Sequence, residues 1–213
     1  MPLFTNENID DALLGLWEIT ETPEELRQIV TLTPAEEQEF KSFTNLRRQR
    51  EWLATRALLQ QMLDEPFEIR HLTDGKPVLE DTPYHISISH SSEYAAVLLH
   101  EEMQPGLDIE NVSRSIDRVA PRFLSAEELQ NCLTNDGYSN IKLFMHWCAK
   151  EAIFKMIPHQ GVEFSTQIQI PAFEMTGSNG SFTGLFKGLF GTDHIDLNYR
   201  FVEDNLMVWG LYE

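Results

Sequence analysis

Tyr84-His85-Ile86-Ser87-Ile88-Ser89-His90-Ser91-Ser92 is the stretch whose reading decides the class of fold. Tyr84, Ile86 and Ile88 alternate with His85, Ser87 and Ser89, which is the period of a strand with one buried face. Polar residues at 90–93 make a turn, and Ala95 to Leu99 supply the return strand. Two strands joined by so short a connection must run antiparallel.

Upstream, residues 15–20 (GLWEIT) read as another short strand. Thr33-Pro34-Ala35-Glu36 combines a cap, a proline at the first helical position and the glutamate of a capping box, so a helix starts there. A second helix is expected from about Asn45 to Leu63, with Leu46, Trp52, Leu53, Ala57 and Met62 partly on one face. Asp74-Gly75-Lys76-Pro77 and Asp81-Thr82-Pro83 are turn-like. Downstream, Leu107 and Ile109 alternate with Asp108 and Glu110, which predicts a strand. Ser125-Ala126-Glu127-Glu128 is a second capping box. Residues 140–157 form the best-marked helix, ended near Pro158 and Gly161. The tail reads as strands at 182–187, 195–202 and 206–212, with Glu203-Asp204-Asn205 as a hairpin turn. No linker or low-complexity segment interrupts this order. Strands and helices are mixed rather than strictly alternating, so the expected class is α+β.

The bulk composition narrows the function. The chain has 213 residues, of which 42% are hydrophobic, enough for a packed interior. No apolar run approaches the roughly 18–20 residues that span a bilayer. The start, MPLFTNENIDD, lacks the basic and apolar regions of a secretory signal. The two cysteines, Cys132 and Cys148, are too few for a disulfide framework, so cytoplasmic residence is expected. A formal net charge of −18 opposes binding to nucleic acid or to an anionic membrane. The few cations are clustered: Lys41, Arg47, Arg48, Arg50 and Arg56 form a local basic island. Such an island suits a small polyanion. On charge alone, pairing with nearby glutamates is the preferred reading.

Three short constellations carry chemistry. Asp108 and Glu110 lie two apart on a strand and so point to one face. Adjacent carboxylates repel unless a cation sits between them, and Mg²⁺ takes one or two carboxylates together with phosphate oxygens and water. By themselves the pair read more readily as a solvated face of an acidic protein. Trp147-Cys148-Ala149-Lys150-Glu151-Ala152-Ile153-Phe154-Lys155 places Glu151 and Lys155 on one helix face. There a carboxylate could complete a metal site and a lysine could hold phosphate. In isolation they read as a surface ion pair. Ser89-His90-Ser91 offers several hydrogen-bond donors to phosphate. Alone, His90 reads as a turn or core histidine, and no G-x-S-x-G elbow marks a nucleophilic serine.

In chain order these become Gly75-Lys76-Pro77, Ser89-His90-Ser91, Gly106-Leu107-Asp108-Ile109-Glu110, and Trp147 through Lys155. The set resembles the 4′-phosphopantetheinyl transferase superfamily, in particular its larger monomeric branch that activates non-ribosomal peptide and polyketide synthetases. That branch shows G-[KR]-P, S-H-S, G-x-D-x-E and W-x-x-K-E-[AS]-x-x-K, and every fixed position is filled here. Arg122-Phe123-Leu124-Ser125-Ala126-Glu127-Glu128 also resembles the family's stretch between the last two motifs. The likeness covers roughly residues 40 to 165.

The resemblance implies a pseudo-dimer of two similar lobes, residues 1–105 and 106–213. Each would be a small, mostly antiparallel sheet packed against a long helix, with coenzyme A in the cleft between them. It implies Asp108, Glu110 and Glu151 as ligands of Mg²⁺, or of Mn²⁺ in its place, and Lys155 as a pyrophosphate contact. Gly75, Lys76 and Pro77 would border the adenine. Ser89 and His90 would meet phosphate, and Arg47, Arg48 and Arg50 lie where the family often has basic residues for the 3′-phosphate. A carrier-protein serine would attack the β-phosphate of coenzyme A and release 3′,5′-ADP, with Glu151 taking the proton directly or through water and Asp108 and Lys155 completing the catalytic set. The carrier would be an acyl or peptidyl carrier protein. By their own spacing of four, Arg114, Arg118 and Arg122 would either present one helix face to it or be ordinary surface arginines, and the two readings stand equal. The rival reading is a catalytically silent relative that binds coenzyme A or carrier without transfer. Another Mg²⁺-dependent phosphoryl-transfer enzyme is disfavoured because no Walker-type loop or kinase motif set is present.

Overall fold

The computed structural model describes residues 4–9, 11–63, 67–157 and 161–213. The chain folds as two compact units, Met1–Glu102 and Met103–Glu213. Both mix helices with antiparallel sheets, so the α+β class expected from the sequence holds.

The first unit runs β1 (Phe4–Ile9), β2 (Ala12–Glu18), α1 (Pro23–Ile29), α2 (Pro34–Ser42), α3 (Leu46–Met62), β3 (Glu68–His71), β4 (Pro77–Glu80), β5 (His85–His90) and β6 (Tyr94–His100). Four strands form an antiparallel sheet in the order β1-β2-β6-β5, and β3 and β4 form a separate hairpin. The hairpin read from residues 84–99 is β5–β6, with Ser89 opposite Ala96 and His90 opposite Ala95. The Thr33 side chain accepts from Glu36 N and the Glu36 carboxylate accepts from Thr33 N, as the capping box requires. Thr22 and Glu25 cap α1 in the same way, a helix start the sequence reading passed over. Helix α3 is buried nearly all round from Glu51 to Leu59 because it packs on α1 as well as on β2 and β6. Trp17, Leu53, Leu58, Val97 and Leu99 belong to this unit's core.

The second unit runs β7 (Gln104–Asn111), a 3₁₀ turn at Ala120–Arg122, α4 (Ala126–Cys132), β8 (Leu133–Thr134), β9 (Gly137–Tyr138), α5 (Asn140–Met156), α6 (Phe164–Gln167), β10 (Ile168–Gln169), β11 (Asn179–Lys187), β12 (Thr192–Val202) and β13 (Asn205–Tyr212). Five strands form an antiparallel sheet ordered β10-β11-β12-β13-β7. The seventeen-residue helix α5 packs on β7 and β13. Its Leu143, Phe144, Ala149, Ala152 and Ile153 are buried with Leu197, Leu206 and Val208 of the sheet. Pro158, expected to end α5, lies outside the described residues.

One expectation is corrected. Arg114, Arg118 and Arg122 do not share a helix face, because residues 112–119 are turns, a bend and irregular chain and only Ala120–Arg122 is helical, as a short 3₁₀ segment. Polar side chains satisfy the backbone locally instead. Asn111 Oδ1 accepts from Ser113 N, and Ser115 Oγ accepts from Asp117 N. Asn140 Nδ2 donates to Val112 O and Arg114 O, which a helix would have needed for its own bonds.

Candidate active site

The site of the second unit is built where β7 meets α5. Asp108 and Glu110 lie on β7, while Trp147, Glu151 and Lys155 recur every four residues on α5. Gly106 sets the approach of helix to strand. A Cβ there would lie 2.1 Å from Ala152 O and 2.4 Å from Met156 Cγ, so only glycine lets the backbone of α5 sit this close. Three contacts then cross from helix to strand. Lys155 Nζ donates to Leu107 O at 2.6 Å and to Asp108 Oδ1 at 2.9 Å. Trp147 Nε1 donates to Glu110 Oε1 at 3.1 Å. The second oxygen of Glu110 accepts from Arg114 at 3.1 Å.

Glu151 stands in the same electrostatic environment. Burial pushes its carboxyl up to about 7, and the negative charge of Asp108, and less strongly of Glu110, adds to the rise against the opposing Lys155 ammonium. Among the described residues no three ligating side chains stand as a preformed metal cage. The donor chemistry still fits a hard divalent cation. Glu151 feels the negative charge of Asp108 and Glu110, the cationic partner seen for Asp108 is an ammonium, and a divalent ion would offset that repulsion through oxygen ligands.

Beside this cluster lies a groove of about 640 Å³ within the second unit. Glu151 and Trp147 form one side, Val162 and Phe164 another, and Ile116, Val119 and Phe123 are apolar lining. Arg114 and Arg122 bring positive charge to it. Trp147 packs edge-on against Phe123, with ring centroids 4.9 Å apart, so the residue that holds Glu110 is itself held by the groove.

In the first unit, the structure brings Arg47 and His90 together on a residue the sequence reading did not single out. Glu51 is buried; its Oε1 accepts from Arg47 Nε at 2.6 Å, and its Oε2 lies 3.5 Å from His90 Nδ1. The Arg47–Glu51 spacing of four on a helix was the available signal. Ser89 precedes His90 on β5 and is buried. Gly75 takes φ +89° in the β3–β4 turn, Lys76 N donates to Asp74 Oδ1, and Pro77 opens β4. Partial burial lowers the Lys76 ammonium pKa, opposed by Asp74. Two other members of the basic island hold the fold. Arg50 donates to Ile19 O and Glu21 O, and Arg56 stacks over Trp52 while donating to Glu36. Arg48 lies over the Phe43 ring.

The model of the 4′-phosphopantetheinyl transferase superfamily matches residues 104–204, from β7 through α5 to the end of β12. The second unit belongs to that superfamily. Among curated members, the 4′-phosphopantetheinyl transferase psf-1 of Bacillus pumilus is 33% identical over 85 residues, covering 39% of this chain and 36% of that protein. The L-aminoadipate-semialdehyde dehydrogenase-phosphopantetheinyl transferase of Rattus norvegicus is 26% identical over 184 residues, covering 76% of this chain and 58% of that protein. The 4′-phosphopantetheinyl transferase AcpT of Escherichia coli O157:H7 is 42% identical over 64 residues, covering 30% of this chain and 33% of that protein. The chain thus spans less than two thirds of the length of each of these phosphopantetheinyl transferases.

Proposed function

We propose that this chain transfers the 4′-phosphopantetheine arm of coenzyme A to a serine of an apo acyl or peptidyl carrier protein, releasing 3′,5′-ADP. The observation that carries the reading is the cluster of Asp108, Glu110, Glu151 and Lys155 at the β7–α5 junction of a superfamily unit. Asp108, Glu110 and Glu151 would hold Mg²⁺, which when bound neutralises charge on the pyrophosphate.

The chain's own residues divide the remaining work. Lys155, held by Leu107 O and Asp108, presents an ammonium to the pyrophosphate oxygens. Glu151, at the edge of the groove, takes the serine proton through a water as the hydroxyl oxygen bonds to the β-phosphorus and the bond to 3′,5′-ADP breaks. Trp147 and Arg114 fix the two oxygens of Glu110. Lys76, Pro77, Ser89, His90 and Arg47 recognise the nucleotide end of coenzyme A. The carrier meets the arginines after β7, with Arg114 and Arg122 lining the groove. The reading places the enzyme in the cytoplasm, in keeping with two buried cysteines that are free thiols.

The test is a mixture of the protein, coenzyme A, Mg²⁺ and several apo carriers, followed by intact mass of the carrier. Conversion to the holo form that EDTA abolishes is the expected result. Coenzyme A binding by calorimetry without conversion of any carrier would instead identify a silent binding relative.

A further inference from the structure

Lys150 and Glu151 are neighbours on α5 with opposite fates. Glu151 lines the groove, whereas Lys150 is wholly buried. Lys150 Nζ donates to Glu128 Oε2 at 2.8 Å, Phe164 O at 2.9 Å and Ile168 O at 2.5 Å. An ammonium has three donors, and these bonds use all of them. Its partner Glu128 is buried as well. Glu128 Oε2 accepts from Ser125 N at 2.7 Å, and Oε1 accepts from Ile170 N at 2.8 Å. Two side chains thus join the start of α4, the middle of α5 and the segment 164–170.

Stability alone does not explain such a pair. Removing two charges from water costs several kcal/mol per ion, and an apolar pair of similar volume often holds a fold as well or better. Geometry supplies another reason. Three acceptors at fixed points set both the rotation of α5 about its axis and the position of Phe164. Successive helical residues are about 100° apart, so any rotation that moves Lys150 swings Glu151 with it. Phe164, whose carbonyl Lys150 holds, packs on Trp147 with centroids 6.3 Å apart and on Phe154 at 5.2 Å. Trp147 in turn donates to Glu110.

We propose that Lys150 and Glu128 are positioning residues for transfer: their buried bond network aims Glu151 and fixes the groove wall that orients Trp147 and, through it, Glu110. The kinetic part of this inference rests on the transferase reading above; its structural part does not.

The decisive variant is the double substitution Lys150→Met and Glu128→Gln. It removes both buried charges, and glutamine can still serve in the capping box at Ser125. A folded variant with a lowered melting temperature is expected, because Phe164 O and Ile168 O lose their donor, together with a fall in kcat of about tenfold or more and little change in the KM for coenzyme A. The Trp147 indole N–H resonance should shift in the ¹⁵N-labelled double variant. A folded variant with kcat within about twofold of wild type and an unmoved indole resonance would overturn the proposal. Should the double variant not fold, native-state hydrogen exchange on wild type decides. The Ile170 amide and the Trp147 indole should exchange through one shared opening, and independent openings would overturn the coupling. If wild type modifies no carrier, the transferase reading fails, whereas the indole resonance and the exchange data still judge the positioning network.

Discussion

Trp147 Nε1 donates a 3.1 Å hydrogen bond to Glu110 Oε1, joining α5 to β7 across thirty-seven positions of sequence. A hydrogen bond to a charged acceptor is worth about 1.5–3 kcal/mol, and partners one step removed from a metal typically carry 10–100-fold in metal affinity or activity. Trp147→Phe keeps an aromatic ring beside Phe123 and loses this donor together with part of the indole's contact area. Mg²⁺ affinity, measured by calorimetry, should therefore fall about tenfold or more while the melting temperature stays near wild type. An unchanged affinity would remove Trp147 from the support of Glu110.

Asp108→Ala and Glu151→Ala should each nearly abolish transfer without unfolding the protein. Each relieves the mutual repulsion of Asp108 and Glu151, and Lys155 retains Leu107 O as an acceptor when Asp108 is lost. Turnover within severalfold of wild type in either variant would exclude that residue from the metal site.

Gly106→Ala should destabilise the second unit by about 1–3 kcal/mol, the usual range for overpacking. The new methyl would meet the Ala152 carbonyl at 2.1 Å, which is helix backbone and yields less readily than a side-chain tip. Chemical denaturation measures the loss. A variant as stable as wild type would show that α5 can lift from β7 freely.

Glu25 supplies a pH dependence of known sign. Its hydrogen bonds with the Thr22 backbone and side chain hold its pKa below the ordinary 4.5. Folding then favours the ionised carboxylate, so the stabilisation is full above the unfolded value and is lost as pH falls through the lower folded value. Glu25→Gln should be less stable than wild type at about pH 6, and the gap should close towards about pH 3. Urea midpoints at the two pH values check this; a gap of constant width would mean that the charge contributes nothing.

The carrier interaction is best tested away from Arg114, because that residue also holds Glu110. Reversing Arg118 and Arg122 to glutamate should raise the carrier KM and leave the coenzyme A KM nearly unchanged. The expected size is about 1–3 kcal/mol in kcat/KM for the pair. Salt should raise the wild-type carrier KM in the same sense. An unchanged carrier KM at low and moderate salt would make these arginines ordinary surface charges.

The sequence by itself determined the local pieces of this protein. The alternation at Tyr84–Ser89 and at Leu107–Glu110 has the period of a strand, and strands form at His85–His90 and Gln104–Asn111, although Ser87, Ser89 and Asp108 are buried as well as the apolar face. The boxes at Thr33–Glu36 and Ser125–Glu128 act over three residues, so they were readable without any tertiary information. The spacing Glu151–Lys155 placed two groups on one helix face for the same reason, whereas the bond of Trp147 to Glu110 came only with the fold. Tertiary structure decided everything that depends on partners distant in the chain. Arg50 looked like part of an anion site, yet carbonyls at Ile19 and Glu21 take its guanidinium. Arg114, Arg118 and Arg122 had helical spacing, but Asn140, from a different element, takes the carbonyls of Val112 and Arg114, and no α-helix spans them. Lys150 and Lys155 of α5 look alike in sequence. Only the folded chain sends Lys155 to Asp108 at the site and buries Lys150 on Glu128, because burial and hydrogen-bond partners are properties of packed surfaces and not of local spacing.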